Sequence, residues 1–261
     1  MNCDGGARAN PTTVRPRVID PESCIPWRKR IMEELRNRLY DLGASLVGCA
    51  DLSEVPAEAR DGLQFAVSIA VALDPAIIGG IAHGPTPEYS DEYERVNRLL
   101  DSLGAEAARL LEAGGHRAKA IAATHVGIDW TTCSTRLPHK TSATRSGMGW
   151  IGKCALLVTE EFGPAVRLVT VLTDAELPVG EPTDDSRCGD CVACVEVCPG
   201  HAPTGKHWAL GVYRDEFFDA FACREAAEAK AGEIGIEYLV CGMCIAACPW
   251  TKRYLKRAEL T

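Results

Sequence analysis

The run Cys188-Gly-Asp-Cys191-Val-Ala-Cys194-Val-Glu-Val-Cys198-Pro199, answered by Cys241-Gly-Met-Cys244-Ile-Ala-Ala-Cys248-Pro249, decides the architecture of the C-terminal part of this chain. The first run has the spacing C-x2-C-x2-C-x3-C-P, in which three thiolates hold one 4Fe-4S cluster and the fourth reaches a neighbouring cluster. The second run must then complete both sites. One cluster takes Cys188, Cys191, Cys194 and, by pseudo-symmetry, Cys248. The other takes Cys198, Cys241, Cys244 and one thiolate more, since each cuboidal cluster has four corner irons to ligate. Cys223 is the only cysteine between the two runs, so it is the expected eighth ligand. A competing reading, a pair of structural zinc sites, accounts for the C-x2-C pairs but not for the three-plus-one split or the paired Cys-Pro endings.

The whole chain has 261 residues, enough for one large domain or two modest ones. Its 46% apolar and 25% charged residues are those of an ordinary soluble globule. No run of eighteen apolar residues occurs, so no membrane span is expected. The polar N-terminal stretch has no apolar core of an export signal. Thirteen cysteines in an unexported chain imply a reducing compartment where thiols serve metals, and the expected location is the cytoplasm. A net charge of −8 argues against a broad nucleic-acid-binding surface. The tail Lys252-Arg253-Tyr254-Leu255-Lys256-Arg257 is the best local basic candidate, though a solvated final helix explains it more simply.

Along the chain, residues 1–22 lack apolar periodicity and read as a flexible tail. Ile31, Leu35, Leu39 and Leu42 recur at helical spacing, with Gly43 as a stop. Residues 45–50 and 65–73 read as buried strands. A long helix is expected to open at Ser90 as N-cap and to end at Gly114-Gly115. Residues 118–124 are a third strand candidate, with helix the alternative its alanines leave open, and Pro138 to Arg145 a short helix. The runs 154–159 and 166–172 flank Glu160-Glu-Phe-Gly-Pro164 at the spacing of a hairpin. Helices interleaved with strands give an α/β or α+β first domain over residues 23–180. A Pro- and Gly-containing linker follows, and the cluster domain occupies 181–261 with helical insertions around 212–232.

Gly147-Met-Gly-Trp-Ile-Gly-Lys153, then Gly163, then Val171-Leu-Thr-Asp174, ahead of a double-cluster module ending Cys248-Pro-Trp250, resembles epoxyqueuosine reductase and its relatives. Residues 42–50 and 89–103 resemble, more loosely, that family's opening helix-to-strand passage and following long helix. The resemblance implies a nitroreductase-like α/β (α+β) domain joined to a ferredoxin-like domain with two 4Fe-4S clusters, and a cobalamin held between them, an arrangement shared with reductive dehalogenases. It points for the corrinoid to Gly152, Lys153, Cys154, Leu172 and Thr173.

In that family an aspartate before the G-W-I-G-K motif is the presumed proton donor. Counting back from Lys153 without a gap puts Cys133 there, whereas Asp129 takes the role only with four extra residues. Cys133, His139 and Asp129 are therefore the catalytic candidates, with Lys140 and Arg136 nearby for an anionic substrate group. The wide spacing from Cys198 to Cys223 implies an insertion that reshapes the substrate mouth. Many family members also continue into a helical-repeat tail that helps hold transfer RNA. These departures favour a divergent paralogue that reduces an organic substrate by two electrons, through deoxygenation, dehalogenation or a related elimination. Its electrons are expected from an external low-potential donor of the ferredoxin or flavodoxin type. An electron-transfer protein that serves a partner is the alternative, and a transfer-RNA substrate is possible but not favoured.

Overall fold

The computed structural model describes residues 25–124 and 127–259. The expected tail at 1–22, and with it Cys3 and Cys24, lies outside the described residues.

Helix α1 (Ile25–Asp41) turns Met32, Leu35 and Leu39 inward, while Leu42 remains exposed just past its end. It leads into β1 (Leu46–Asp51) and, after a loop, β2 (Phe65–Ala72). Asp74-Pro75, expected only to end a strand, also starts a helix: the Asp74 carboxylate accepts from Ala76 N–H and caps α2 (Pro75–Gly79). The long helix α3 (Pro87–Ala113) opens earlier than Ser90. Thr86 accepts from Tyr89 N–H at 3.2 Å, and Pro87 needs no hydrogen-bond partner in the first turn. The Thr-Pro pair thus outcompetes Ser90, which is buried inside that turn.

Strand β3 (Ala118–Ile121) follows, then α4 (His139–Arg145), a short pair β4 (Trp150–Ile151) and β5 (Leu157–Val158), and β6 (Val166–Thr173). The main sheet has the order β1-β2-β6-β3, and every pair is antiparallel. The expected hairpin between 154–159 and 166–172 does not form, because β5 pairs with β4 and β6 inserts between β2 and β3. Glu160 to Pro164 instead makes a local turn closed by Thr159 and Gly163.

Alternation along the strands separates two layers. Val67, Ile69, Val169 and Val171 join the large apolar core with α1 and α3. Gly48, Ser68 and Thr170 lie in register on the other face, towards α4. Their small size lets the helix come close: a Cβ at Gly48 would meet Ser146 Oγ at 2.9 Å.

The cluster segment carries α5 (Ala193–Glu196), α6 (Arg214–Phe217), α7 (Ala220–Ile234), α8 (Met243–Ala247) and α9 (Pro249–Ala258). Val240, Ile245 and Ala246 bury into the same core as Ile81 and Tyr89 of the first part. The segment expected to be a linker is packed: Gly180 N–H donates to Cys49 O at 2.9 Å and Thr183 N–H to Thr144 O at 2.9 Å. On α9, Lys252, Arg253, Lys256 and Arg257 are exposed, Arg253 stacking on Trp250 and Arg257 donating to Glu161 O. Among the described residues no helix is long and apolar enough to cross a membrane.

Candidate functional site

The structure brings Cys188, Cys191, Cys194 and Cys248 around a cavity of about 40 Å³, closed by Gly152, Lys153, Cys154, Val158, Cys244 and Trp250. Lys153 Nζ donates to Gly189 O (2.9 Å) and Cys191 O (3.1 Å), pinning the first cysteine loop to the glycine-rich motif. Cys248 stands at the N-cap position of α9, with Pro249 in the first turn. A second group forms where Cys223 lies within charge-interaction range of Cys198 and Cys241. Ala202 N–H donates to Cys198 Sγ at 3.4 Å. Such N–H groups favour thiolates and tune the metal centre they hold. Among the described residues no three His, Cys, Asp or Glu side chains converge on a single ion. The thiols of the first group surround a volume, which suits a cuboidal cluster better than tetrahedral zinc.

Beside Cys223 opens a larger cavity of about 700 Å³ at the junction of the two parts. From the first part it is lined by Tyr93, Trp130, Cys133 and Lys140, and from the cluster segment by Arg214, Phe218, Arg224 and Tyr238 among others. Much of its wall comes from α6 and α7, the helical insertion between the cysteine runs. A second cavity of about 620 Å³ adjoins it through Tyr93, Ile128, Thr135 and Pro138. Asp61 there holds Lys119 (2.5 Å) and Arg136 (3.4 Å), and the Lys119 hydrogen bond keeps its carboxyl below the usual range.

The three catalytic candidates separate. Asp129 is exposed and lines neither cavity. Its carboxylate accepts from Thr131 N–H (2.9 Å) and Thr131 Oγ–H (2.6 Å), which lowers its pKa and makes it a poor acid. His139 uses both ring nitrogens, Nδ1 with Thr170 Oγ1 and Nε2 with Ala122 O, each at 3.0 Å. The carbonyl fixes the proton on Nε2, and burial pushes the pKa down, so His139 is a neutral strap from α4 to the sheet. Cys133 does face the junction cavity. Its φ of +49° is left-handed, a conformation costing a β-carbon residue about 1–2 kcal/mol.

That conformation is held from the cluster segment. Arg214 donates to Cys133 O at 2.6 Å and Thr132 O at 2.8 Å, while Asp129 and Ser134 close the loop with two backbone hydrogen bonds. Arg224 lies over the Trp130 ring at 4.8 Å. These tertiary contacts were not legible in residue spacing. Lys140, assigned in the sequence only to an anionic group, also lines the junction cavity. Its Nζ donates to Ala155 O at 2.6 Å, and burial lowers its pKa to about 8.

The residues expected to touch a corrinoid lie elsewhere. Leu172 and Thr173 are fully buried with their backbones paired to β2 and β3. Thr173 Oγ1 donates to Arg117 O at 2.8 Å, and Leu172 packs with Ala50, Leu52 and Leu137. Gly152, Lys153 and Cys154 line the small cysteine cavity rather than the junction. These five residues form the frame of the module, and the open space is bordered by other side chains.

Residues 187–251 match a family model described as a 4Fe-4S double cluster binding domain. An epoxyqueuosine reductase from a Synechococcus species is 32% identical over 134 residues, covering 50% of this chain and 41% of that protein. Two solved structures share the fold. A reductive dehalogenase, whose structure is described as suggesting a mechanism for B12-dependent dehalogenation, superposes with a TM-score of 0.64 at 18% identity. The match covers 96% of this chain and 35% of that one. A Bacillus subtilis epoxyqueuosine reductase, with its catalytic aspartate loop swung out of the active site, gives a TM-score of 0.56 at 18% identity. There the coverage is 86% of this chain and 66% of that chain. The chain spans less than half the length of the curated relatives it matches.

Proposed function

We propose that this chain, similar over part of its length to epoxyqueuosine reductases, is an iron–sulfur and corrinoid-dependent reductase acting on an organic substrate at the junction cavity. The observation that carries this reading is the open space of about 700 Å³ whose wall includes the cluster cysteine Cys223. We assign one cluster to Cys188, Cys191, Cys194 and Cys248 and the other to Cys198, Cys223, Cys241 and Cys244. The second then ends the electron path at the cavity, and the first receives electrons from an external low-potential ferredoxin or flavodoxin.

The residues present suit a corrinoid. A wide macrocycle needs a broad, mainly apolar slot with a few polar groups, and Tyr93, Trp130, Phe218, Tyr238 and Leu239 supply the apolar wall. A bound corrinoid would supply a strongly nucleophilic, reduced cobalt centre. The protein's part is to exclude water, orient the substrate and deliver a proton. The overall reaction takes two electrons and one proton to replace a carbon–leaving-group bond by carbon–hydrogen, releasing the leaving group as an anion. Lys140 is the proton donor this geometry favours, with Cys133 beside the substrate. We read the first domain as nitroreductase-like over 23–180 and the second as ferredoxin-like over 181–261.

Visible spectra of anaerobically reconstituted protein with and without cobalamin test the proposal. Tight binding with corrin absorbance is expected, and no affinity for any cobalamin at full cluster content would overturn it. An electron-transfer protein without its own turnover is the second reading, and the open cavity weighs against it. A transfer-RNA substrate is checked by conversion of epoxyqueuosine in RNA.

A further inference from the structure

Cys154 is not among the eight cluster ligands, yet it is buried to 5% exposure and lines the same cavity as Cys188, Cys191, Cys194, Cys244 and Cys248. That cavity brings it together with a ligand cysteine of each set, Cys194 of one and Cys244 of the other. A Cβ at Gly152 would sit 3.5 Å from Cys154 Sγ and 3.7 Å from Cys188 Sγ, so no bulk separates this thiol from the first set.

The placement is enforced by its neighbours. Residues 152–156 form a tight turn, with Ala155 N–H donating to Gly152 O at 2.8 Å and Gly152 N–H to Leu156 O at 2.9 Å. Ala155 takes a left-handed φ of +58° to close it. Two lysines clamp the turn: Lys153 reaches across to Gly189 O and Cys191 O, and Lys140 donates to Ala155 O. A strained turn braced from both sides keeps a packed side chain from withdrawing.

We propose that Cys154 is a ninth sulfur of the redox module, a positioning residue whose thiol donates a hydrogen bond to a ligand thiolate at the contact between the two clusters and so separates their potentials. A donor at a ligand sulfur stabilises the more negative, reduced cluster and makes that cluster easier to reduce. The thiol carries one proton and serves one thiolate at a time, so two clusters with identical ligand sets become unequal. No bond is made or broken at Cys154, and no electron resides on it. The inference rests on the two-cluster assignment and not on the corrinoid.

The test is a potentiometric titration, followed by electron paramagnetic resonance, of the reconstituted full chain and its Cys154→Ala and Cys154→Ser variants. Iron content should be unchanged in both variants. In Cys154→Ala one midpoint should shift to lower potential while the other stays, and Cys154→Ser, which keeps a donor, should restore most of the separation. In the unsubstituted protein, transfer to deuterated buffer should reveal one exchangeable deuteron coupled to a cluster. Two variants that titrate like the parent would overturn the proposal, as would equal shifts in alanine and serine. Loss of half the iron in Cys154→Ala would also overturn it, by making Cys154 a ligand.

Discussion

Trp150 and Trp250 meet edge to face, with ring centroids 5.2 Å apart and planes at 73°. One belongs to the glycine-rich motif and is fully buried, and the other follows the cluster cysteine Cys248 by two residues. The pair therefore ties the start of α9, and its cysteine, to the first part of the chain. Trp250→Leu should cost about 1 kcal/mol through loss of the aromatic edge. Trp150→Ala should cost about 3–5 kcal/mol, as a large buried side chain is deleted. Thermal melting reads the stability, and faster iron loss to a chelator in Trp250→Leu reads the link to Cys248.

Cys223 sits on α7 beside Cys198 and Cys241 and does not line the cavity that holds Cys188 and Cys248. Cys223→Ala should remove roughly half the iron while the other cluster keeps its resonance signal. Iron and sulfide analysis after anaerobic reconstitution decides this. Full iron content in the variant rules out the assignment.

Arg214 fastens the Cys133 loop with two charge-assisted hydrogen bonds from the cluster segment. Its side chain is 25% exposed, so the bonds are only partly screened. Arg214→Ala should lower the free energy of local opening by about 2 kcal/mol. Hydrogen exchange over 127–135 should accelerate, while cluster content stays the same.

The strap at His139 has a pH signature. Its folded pKa lies below the ordinary value, so the unfolded chain takes up a proton first as the solution is acidified. The contribution to stability is thus present above about pH 6.5 and is lost as pH falls through the folded pKa. Urea midpoints at about pH 7.5 and 5.5 should separate more in the parent than in His139→Gln. Equal separation removes the strap from the acid response.

What could be read from residue order differed by kind of information. The cysteine runs were legible because ligand spacing is local. Thr86-Pro87 was equally local but lost to the more familiar serine signal at Ser90. Strand pairing was not legible: 154–159 and 166–172 have the spacing of a hairpin, yet β6 gains more by inserting between β2 and β3. The proposed proton donor was hidden for the same reason. Whether Asp129, Cys133 or Lys140 faces the cavity depends on a loop that Arg214 holds from more than eighty residues away.

Lys140 gives the sharpest prediction. Burial and the nearby Arg214 charge lower its pKa to about 8, and one of its three N–H groups is committed to Ala155 O. Below about pH 8 the ammonium has protons to donate towards the cavity, and above it the donor is lost. Turnover measured with a fixed electron donor should therefore fall as pH rises through about 8. Lys140→Gln should abolish that limb and lower the rate by about 10²–10⁴-fold, the usual worth of a positioned acid. Lys140→Arg should retain a cation and move the limb beyond the measurable range, because a guanidinium does not titrate there. A parent profile that is flat through pH 8, at full cluster and cobalamin content, transfers the role to Cys133.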